Sequence, residues 1–451
     1  MTSFAKLPTE LKEQIIATLH PTDLGHLSCT CKILYSAVLP LIYRSIAFTY
    51  TLDEPPSPAT GKLLRSLLEN GSLAPMIQQL HVRTRKSDSD APSSYPYEAL
   101  RLRQNCEAPV MSKLIDKAFK KLGLEDEERW RAQMAHRPLD TILALILLHC
   151  TNLKWLQIDS GLLSQNKAVF LALQRMALYQ RSNPDNSMAQ WTSLRRVDVL
   201  APREEWYHPS ESHLDMGFYL VFLHLETIEE VLFSNLAPNV TFDQSQKPTR
   251  YIAQSWEEMP VAMELPMVYL LTTLRLLSTL MEPGQLGNIL SRTPSLEHLE
   301  YDYHVFGSTS HRIGSGPNGC YKCSDMDAAL YCISGTLKTL ILSGKLFFNN
   351  EGEVIRYKWI DGSMSSLRSL SRLRKLVLPF PLVYNKDESL RLGLFPTGLE
   401  NLVLTDDYYL DAGLDWKVGE GLKLIEEDFK AGNHNPPRLK QFRLRMAETD
   451  D

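Results

Sequence analysis

The chain has 451 residues, 44% of them hydrophobic and 22% charged, the composition of an ordinary globular protein. Its 48 Lys and Arg against 53 Asp and Glu give a formal net charge of −5, which argues against a nucleic-acid binder, since those present a basic surface. Apolar runs such as Leu143–Leu148 fall far short of the ~20 residues of a membrane helix, so no membrane span is expected and the partners are predicted to be proteins.

The opening Met-Thr-Ser-Phe-Ala-Lys-Leu-Pro has no basic region followed by an apolar core, so no secretory signal is expected. The seven cysteines are an odd count in a long chain. Together these predict a reducing compartment, cytoplasm or nucleus, without disulfides. The glycosylation-like triplets at Asn70 and Asn239 are read as accidental there.

Three helices are predicted first. Leu7, Leu11, Ile15 and Leu19 recur every four residues with Ile16 beside them, and Pro8 suits a first helical turn. Pro21 interrupts that face, and Thr22 or Asp23 is placed to cap a second helix carrying Leu24 and Leu27. Cys31, Leu34, Tyr35 and Val38 form a third face, which Pro40 is expected to end. A unit this small sits near the ~40-residue limit for folding alone. It also presents more large aliphatic side chains than one tiny core can hide, so it is expected to bury a helical patch against another protein.

Leu7-Pro8-Thr9-Glu10-Leu11, then Ile15-Ile16, Leu19, Asp23-Leu24, Cys31-Lys32 and a closing Leu39-Pro40-Leu41-Ile42-Tyr43-Arg44 resemble the F-box, in particular that of filamentous-fungal F-box proteins. The resemblance covers about a tenth of the chain, residues 1–50, with five sub-motifs in order and spacing. It implies binding to the Skp-type adaptor of a Skp–cullin–F-box ubiquitin ligase, and through that adaptor to cullin. Carried over by motif, the contacts it implies are Leu7, Pro8, Leu11, Ile15, Ile16, Leu19, Leu24, Leu27 and Cys31. Leu34 stands where many F-boxes have Trp, a departure that reduces contact area there.

Residues 51–70 are read as a linker, Asp53-Glu54-Pro55-Pro56-Ser57-Pro58, followed by a first helix. Beyond it an apolar pattern Φ-x-x-Φ-x-Φ recurs. Its clear copies begin at Leu153, Leu194, Ile228, Leu296, Leu337, Leu373, Leu399 and Leu439, and weaker ones at Ile77 and Leu271. The last two apolar positions alternate as in a half-buried strand, and helices fit before many copies, as at Leu139–His149, Leu286–Leu290 and Met326–Tyr331. A single strand and helix cannot bury an apolar side alone, whereas stacked copies can. The fold class expected is therefore α/β: a three-helix F-box, then an irregular leucine-rich-repeat solenoid over residues 71–446 with a parallel sheet on its concave face. An ordinary α/β fold whose parallel strands end alike is the alternative.

The copies are degenerate. Gly161, Pro202, His304, Lys345 and Asp407 stand where a regular repeat has its turn-forming asparagine, so those turns are expected to be satisfied otherwise. Loop insertions are expected at 83–97, 181–190, 237–250 and 303–325, and Val110–Met134 reads as one or two helices.

The polar positions within the repeated motif point to the open side of such a sheet. They nominate Trp155, Gln157, Arg196, Asp198, Glu230, His298, Glu300, Lys375 and Arg443, with Asn401 and Gln441, as a surface for a target protein, Trp155 and Arg196 near the centre of its N-terminal half.

Catalytic signals are weak. Gly314-Ser315-Gly316-Pro317-Asn318-Gly319 spells dinucleotide-binding letters, but no strand leads in and Cys320-Tyr321-Lys322-Cys323 follows, so a loop is expected. Cys320, Cys323, Cys332 and His311 could hold zinc, yet a single Cys-x-x-Cys pair favours free thiols, and no metal or cofactor is expected. The resulting reading is a non-catalytic substrate-recognition adaptor of a Skp–cullin–F-box ligase. The alternative is a scaffold that holds the Skp-type adaptor without ubiquitin transfer.

Overall fold

The structure is a computed structural model that describes residues 4, 7–51, 59–85, 108–122, 138–159, 191–200, 214–234, 236–237, 265–307, 321–348, 360–383, 394–405 and 438–445, together with 128, 130, 131, 168, 169, 172, 173 and 176. It divides into two units, Met1–Trp206 and Tyr207–Asp451.

The first unit opens with helices α1 (Thr9–Ala17), α2 (Pro21–Ser28) and α3 (Lys32–Arg44) and strand β1 (Ser45–Thr51). Helix α4 (Ala59–Glu69), strand β2 (Gln79–Arg85), helices α5 (Ala108–Leu122) and α6 (Pro138–His149), and strands β3 (Trp155–Asp159) and β4 (Arg196–Leu200) follow. The strands pair in parallel and in chain order. Their register aligns the repeated motif: Leu80 lies opposite Leu156 and Leu156 opposite Val197, with Val82, Ile158 and Val199 aligned two residues on. All six are buried, each contributing roughly 1.5–3 kcal/mol.

Helices cover that apolar side. On α4, Leu63, Leu64, Leu67 and Leu68 form one buried stripe, the spacing of a helix with a single core face. Helix α6 packs on α4 and is buried from Leu139 to His149. A carboxylate so enclosed needs donors, and Asp140 accepts the backbone N–H groups of Ala168 at 2.8 Å and Val169 at 2.9 Å. Tyr50 of β1 and Thr60 of α4 share a buried hydroxyl–hydroxyl bond of 2.8 Å.

Three local expectations are corrected here. The N-cap of α2 is His20, whose Nδ1 accepts Thr22 N, while Thr22 and Asp23 lie inside the helix because Pro21 occupies its first position. Helix α3 runs through Pro40 to Arg44. Leu41 and Ile42 beyond the proline pack on the helical core, which offsets one missing N–H near the helix end. Strand β1 fills 45–51, where no strand was expected; Phe48 and Tyr50 alternate into the core. Residues 52–58, the Pro-rich part of the predicted linker, lie outside the described residues.

The second unit contains helix α7 (Met216–Leu223), strands β5 (Glu230–Ser234) and β6 (Thr273–Thr279), helix α8 (Pro283–Leu290), strand β7 (His298–Gly307) and helix α9 (Cys323–Tyr331). Strands β8 (Thr339–Phe348), β9 (Lys375–Pro379), β10 (Asn401–Thr405) and β11 (Gln441–Arg445) complete it. These seven strands are again parallel and in chain order. One aligned row runs Val231, Leu274, Leu299, Leu340, Leu376, Leu402, Phe442. Helix α8 begins with a reciprocal capping box between Glu282 and Gln285 and packs on α9. Asp327 of α9 accepts hydrogen bonds from the backbone and hydroxyls of Ser365 and Ser366, fixing the start of a short 3-10 helix, Ser366–Ser369.

The degenerate turn positions have a structural explanation in two copies. His304 and Lys345 lie inside β7 and β8, which are ten residues long and pair from His298 opposite Thr339 to Gly307 opposite Phe348. The chain does not turn there, so no turn-forming asparagine is required. Gly161, Pro202 and Asp407 lie outside the described residues.

The predicted insertions shorten accordingly. Residues 83–85 belong to β2 and 303–307 to β7; Tyr321–Lys322 pairs with Ile360–Asp361, and 323–325 open α9. Ala237 belongs to a two-residue strand, Leu236–Ala237, beside Leu214–Asp215. The rest of these insertions, with all of 181–190, lies outside the described residues. Among the described residues the architecture is mixed α/β with parallel strands, and neither run closes into a barrel.

Candidate docking and target-binding site

The three opening helices pack around Ile16, Leu24 and Val38, with Phe4, Leu19, Leu27, Ala37, Leu41 and Ile42 against them. That small core uses one side of α1. On another side Leu11 and Ile15, four residues apart, are 45% and 43% exposed. Ile33 and Tyr35 on α3 are also exposed, at 60% and 48%. Isolated apolar residues at a surface are ordinary, but Leu11 and Ile15 lie one turn apart and leave α1 an open apolar face, whereas Ile33 and Tyr35, two residues apart, project from different sides of α3.

Residues 4–49 match the F-box-like family model. The chain carries an F-box-like domain. No curated protein matches the chain. F-box domains in general bind Skp-type adaptors and serve substrate recognition in Skp–cullin–F-box ubiquitin ligases.

Within this F-box-like domain the nine contacts implied by resemblance separate into groups. Pro8, Leu11, Ile15 and Cys31 are exposed, and Leu7, Leu19 and Leu27 are half-buried. Ile16 and Leu24 are buried in the domain's own core, so they shape the open face from behind and do not contribute to it. Both readings were compatible with the spacing, because an amphipathic helix in a small bundle needs apolar residues on two sides.

The strand face of the first unit assembles a polar and aromatic network. Trp155 Nε1 donates to Asp198 Oδ2 at 2.9 Å, and Arg196 Nε lies 3.1 Å from both oxygens of the same carboxylate. The Arg196 guanidinium carbon is 4.6 Å from the Trp155 ring centroid, a cation–π distance. His81 meets the indole edge-on, with centroids 4.7 Å apart and planes at 89°. Gln157 Oε1 accepts from Arg83 Nε at 3.0 Å and from His81 Nδ1 at 2.9 Å. An oxygen that only accepts requires the His81 proton on Nδ1.

Burial lowers the His81 pKa below the ordinary histidine value and the Arg83 charge adds to this, against the Gln157 bond and the Asp198 charge, which raise it. His81 is therefore neutral at pH 7. The indole is held by a hydrogen bond, a cation and an edge-on ring at once. A partner that covers it finds it already ordered and loses little side-chain entropy.

Of the nominated target contacts, Trp155 and Arg196 are half-buried, while Asp198 is buried and bonded to both, and Gln157 is buried and bonded to His81 and Arg83. That corrects the expectation that all four face a partner: the two shorter side chains are taken up by hydrogen bonds to longer neighbours, Asp198 by Trp155 and Arg196 and Gln157 by His81 and Arg83. In the second unit Glu230, His298, Lys375 and Arg443 are exposed, and Glu300 is half-buried in an ion pair with Arg275. The structure thus brings Trp155, Gln157, Arg196 and Asp198 together on adjacent strands, and places Glu230, His298 and Glu300 on β5 and β7 and Lys375 and Arg443 on β9 and β11. His81, Arg83 and Arg275 were missed. The weaker motif copies at Ile77 and Leu271 carried the signal, since reading their alternate positions nominates all three.

One further polar cluster lies in the second unit. Asp302 accepts from Ser343 Oγ at 2.9 Å, from Ser278 N at 3.0 Å and pairs with His304 Nε2 at 3.0 Å. Ser278 has a left-handed backbone, φ 51°, at the point where the β6–β7 register shifts. The carboxylate satisfies the N–H that this irregularity removes from the ladder. Cys323 is buried at the start of α9 and Cys332 is exposed beyond its end; Cys320, His311 and the glycine-rich 314–319 lie outside the described residues. Among the described residues no three His, Cys, Asp or Glu are grouped to hold a metal.

Proposed function

We propose that this chain is a substrate-recognition subunit of a Skp–cullin–F-box ubiquitin ligase. The observation that carries the reading is the F-box-like domain with Leu11 and Ile15 left open on α1, joined to parallel strands that present a rigid aromatic face. Leu11, Ile15, Pro8 and Cys31, with half-buried Leu7, Leu19 and Leu27, cover the Skp-type adaptor, which connects the chain to cullin. The strands and their helices are read as degenerate leucine-rich repeats, supported by the aligned apolar rows of each unit. A target protein docks on the polar side of those strands, with Trp155 and Arg196 as its anchors in the first unit. The chain performs no chemistry itself. It raises the local concentration of target lysines near a bound ubiquitin-conjugating enzyme.

The test is co-purification of the full chain with a Skp-type adaptor and cullin, wild type beside Leu11→Asp/Ile15→Asp, followed by ubiquitin transfer to co-purifying protein. Adaptor and cullin retained by the wild type and lost from the variant support the reading. Equal retention overturns it. Adaptor capture without cullin assigns the chain to the scaffold class.

A further inference from the structure

The open side of β8–β11 differs from that of neighbouring β6 and β7 in both polarity and charge. Strand alternation sends Leu340, Leu342, Leu376, Leu378, Leu402 and Leu404 into the core, where all are buried. It sends Ile341, Val377 and Val403 to the opposite side. These three are direct cross-strand neighbours, Ile341 opposite Val377 and Val377 opposite Val403, and Val403 in turn faces Arg443. All three are half-buried, so a continuous aliphatic strip crosses three strands where the corresponding positions of neighbouring β6 and β7 hold Arg275 and Glu300.

Cations surround the strip. Lys345, Lys375, Arg443 and Arg445 lie on the same side of their strands and are exposed. Among the described residues none of the four belongs to an ion pair. The same side of β8–β11 carries no carboxylate. The nearest acids on β7 are engaged already, Glu300 by Arg275 and Asp302 by His304. Arg443 donates to the Gln441 side-chain oxygen, a neutral partner that leaves its charge in place, so among the described residues four cations outside any ion pair share this side on a chain of net charge −5.

We propose that this side of β8–β11 binds an acidic protein segment bearing aliphatic side chains, laid across the strands. Its carboxylates meet Lys375, Arg443 and Arg445, with Lys345 further along β8 adding to the positive field, and its aliphatic groups cover Ile341, Val377 and Val403. Charge complementarity selects an acidic occupant. The aliphatic strip selects a peptide over a nucleic acid, because it offers bases no ring to stack on. Strands lie ~4.8 Å apart, so four of them span about 14 Å, which about five extended residues cross. The proposal deepens the target-binding reading above and rests on it for what the captured segment is: part of a target protein.

The experiment is a fluorescence-anisotropy titration of the full chain with a labelled peptide of about ten residues alternating Glu and Leu. Comparison probes are a Lys/Leu peptide, a Glu/Ser peptide and a single-stranded oligonucleotide. The Glu/Leu peptide is expected to bind at least about tenfold more tightly than each of the three, and more weakly as salt rises. Lys375→Glu/Arg443→Glu, both at exposed positions, is expected to weaken it by about tenfold with an unchanged melting temperature. Val377→Ser is expected to weaken it without altering the salt dependence.

Equal affinity for Glu/Leu and Lys/Leu overturns the proposal. So does tightest binding of the oligonucleotide, an affinity unmoved by the charge reversal, or no binding of the Glu/Leu peptide. Adaptor capture is measured on the same preparations. Capture retained with peptide binding absent removes this surface alone; peptide binding retained with capture absent removes the ligase reading and leaves the surface.

Discussion

Ile15 and Ile16 are neighbours in sequence and opposite in environment, the first 43% exposed and the second fully enclosed with Leu24 and Val38. Their truncations should therefore separate docking from folding. Ile16→Ala removes buried volume and is expected to destabilise the F-box-like domain by about 2–5 kcal/mol. Ile15→Ala should change stability by less than about 0.5 kcal/mol and reduce capture of a Skp-type adaptor. Urea unfolding and adaptor co-purification on both variants check this. Equal stability losses would sink the assignment of Ile15 to the open face.

Asp198 is 3% exposed and serves Trp155 and Arg196 together, whereas Glu300 pairs with Arg275 nearer to solvent. Asp198→Ala strands two donors and is expected to cost about 1–3 kcal/mol. Glu300→Ala should cost less than about 1 kcal/mol. Denaturant midpoints rank the two, and the reverse order would contradict the network around Trp155.

His81 has a folded-state pKa below its ordinary value of ~6.5, because burial disfavours its charged form. Between the two values the unfolded chain binds the extra proton. The stability His81 contributes is thus fully present above pH ~6.5 and is lost as pH falls through the lower folded value. His81→Gln, which keeps a donor toward Gln157, is expected to flatten the stability profile between about pH 7 and 5. Matching profiles for wild type and variant would exclude His81 as the source.

Ser278 occupies a left-handed backbone that costs a side-chain-bearing residue about 1 kcal/mol. Ser278→Gly should accordingly be neutral or stabilise by up to about 1 kcal/mol. Its anchor Asp302 titrates low: burial alone would raise the carboxyl, but bonds from His304, Ser343 and Ser278 N outweigh it. Its contribution is present above ~3.9 and disappears as pH falls through the depressed folded value. Asp302→Asn should be less stable than wild type at pH 7, and the gap should narrow on acidification. A gap independent of pH would show that the charge is immaterial.

Much of this architecture was legible because strands advertise themselves by alternation. The rows through Leu156 and Leu402 stand at the expected motif positions, and even the weak copies at Ile77 and Leu271 pair in register. Local features decided by tertiary packing were not legible. Pro40 reads as a stop until Leu41 and Ile42 are seen against the helical core. The lengthening of β7 and β8 past His304 and Lys345 depends on each having the other as partner. For the candidate sites, spacing identified amphipathic faces and alternating positions. It could not say that Asp198 is buried against Trp155 and Arg196 or Gln157 against His81 and Arg83, since that depends on which side chains reach each other across the strands.

Arg44 ends α3 and Ser45 begins β1 with no residue between them, and Arg44 O accepts Gln78 N at 3.0 Å just ahead of β2. A helix that becomes a strand without slack leaves no hinge at that joint. The heading of the first two strands is therefore fixed by the opening helices, built into the backbone of the first unit with no tether between them.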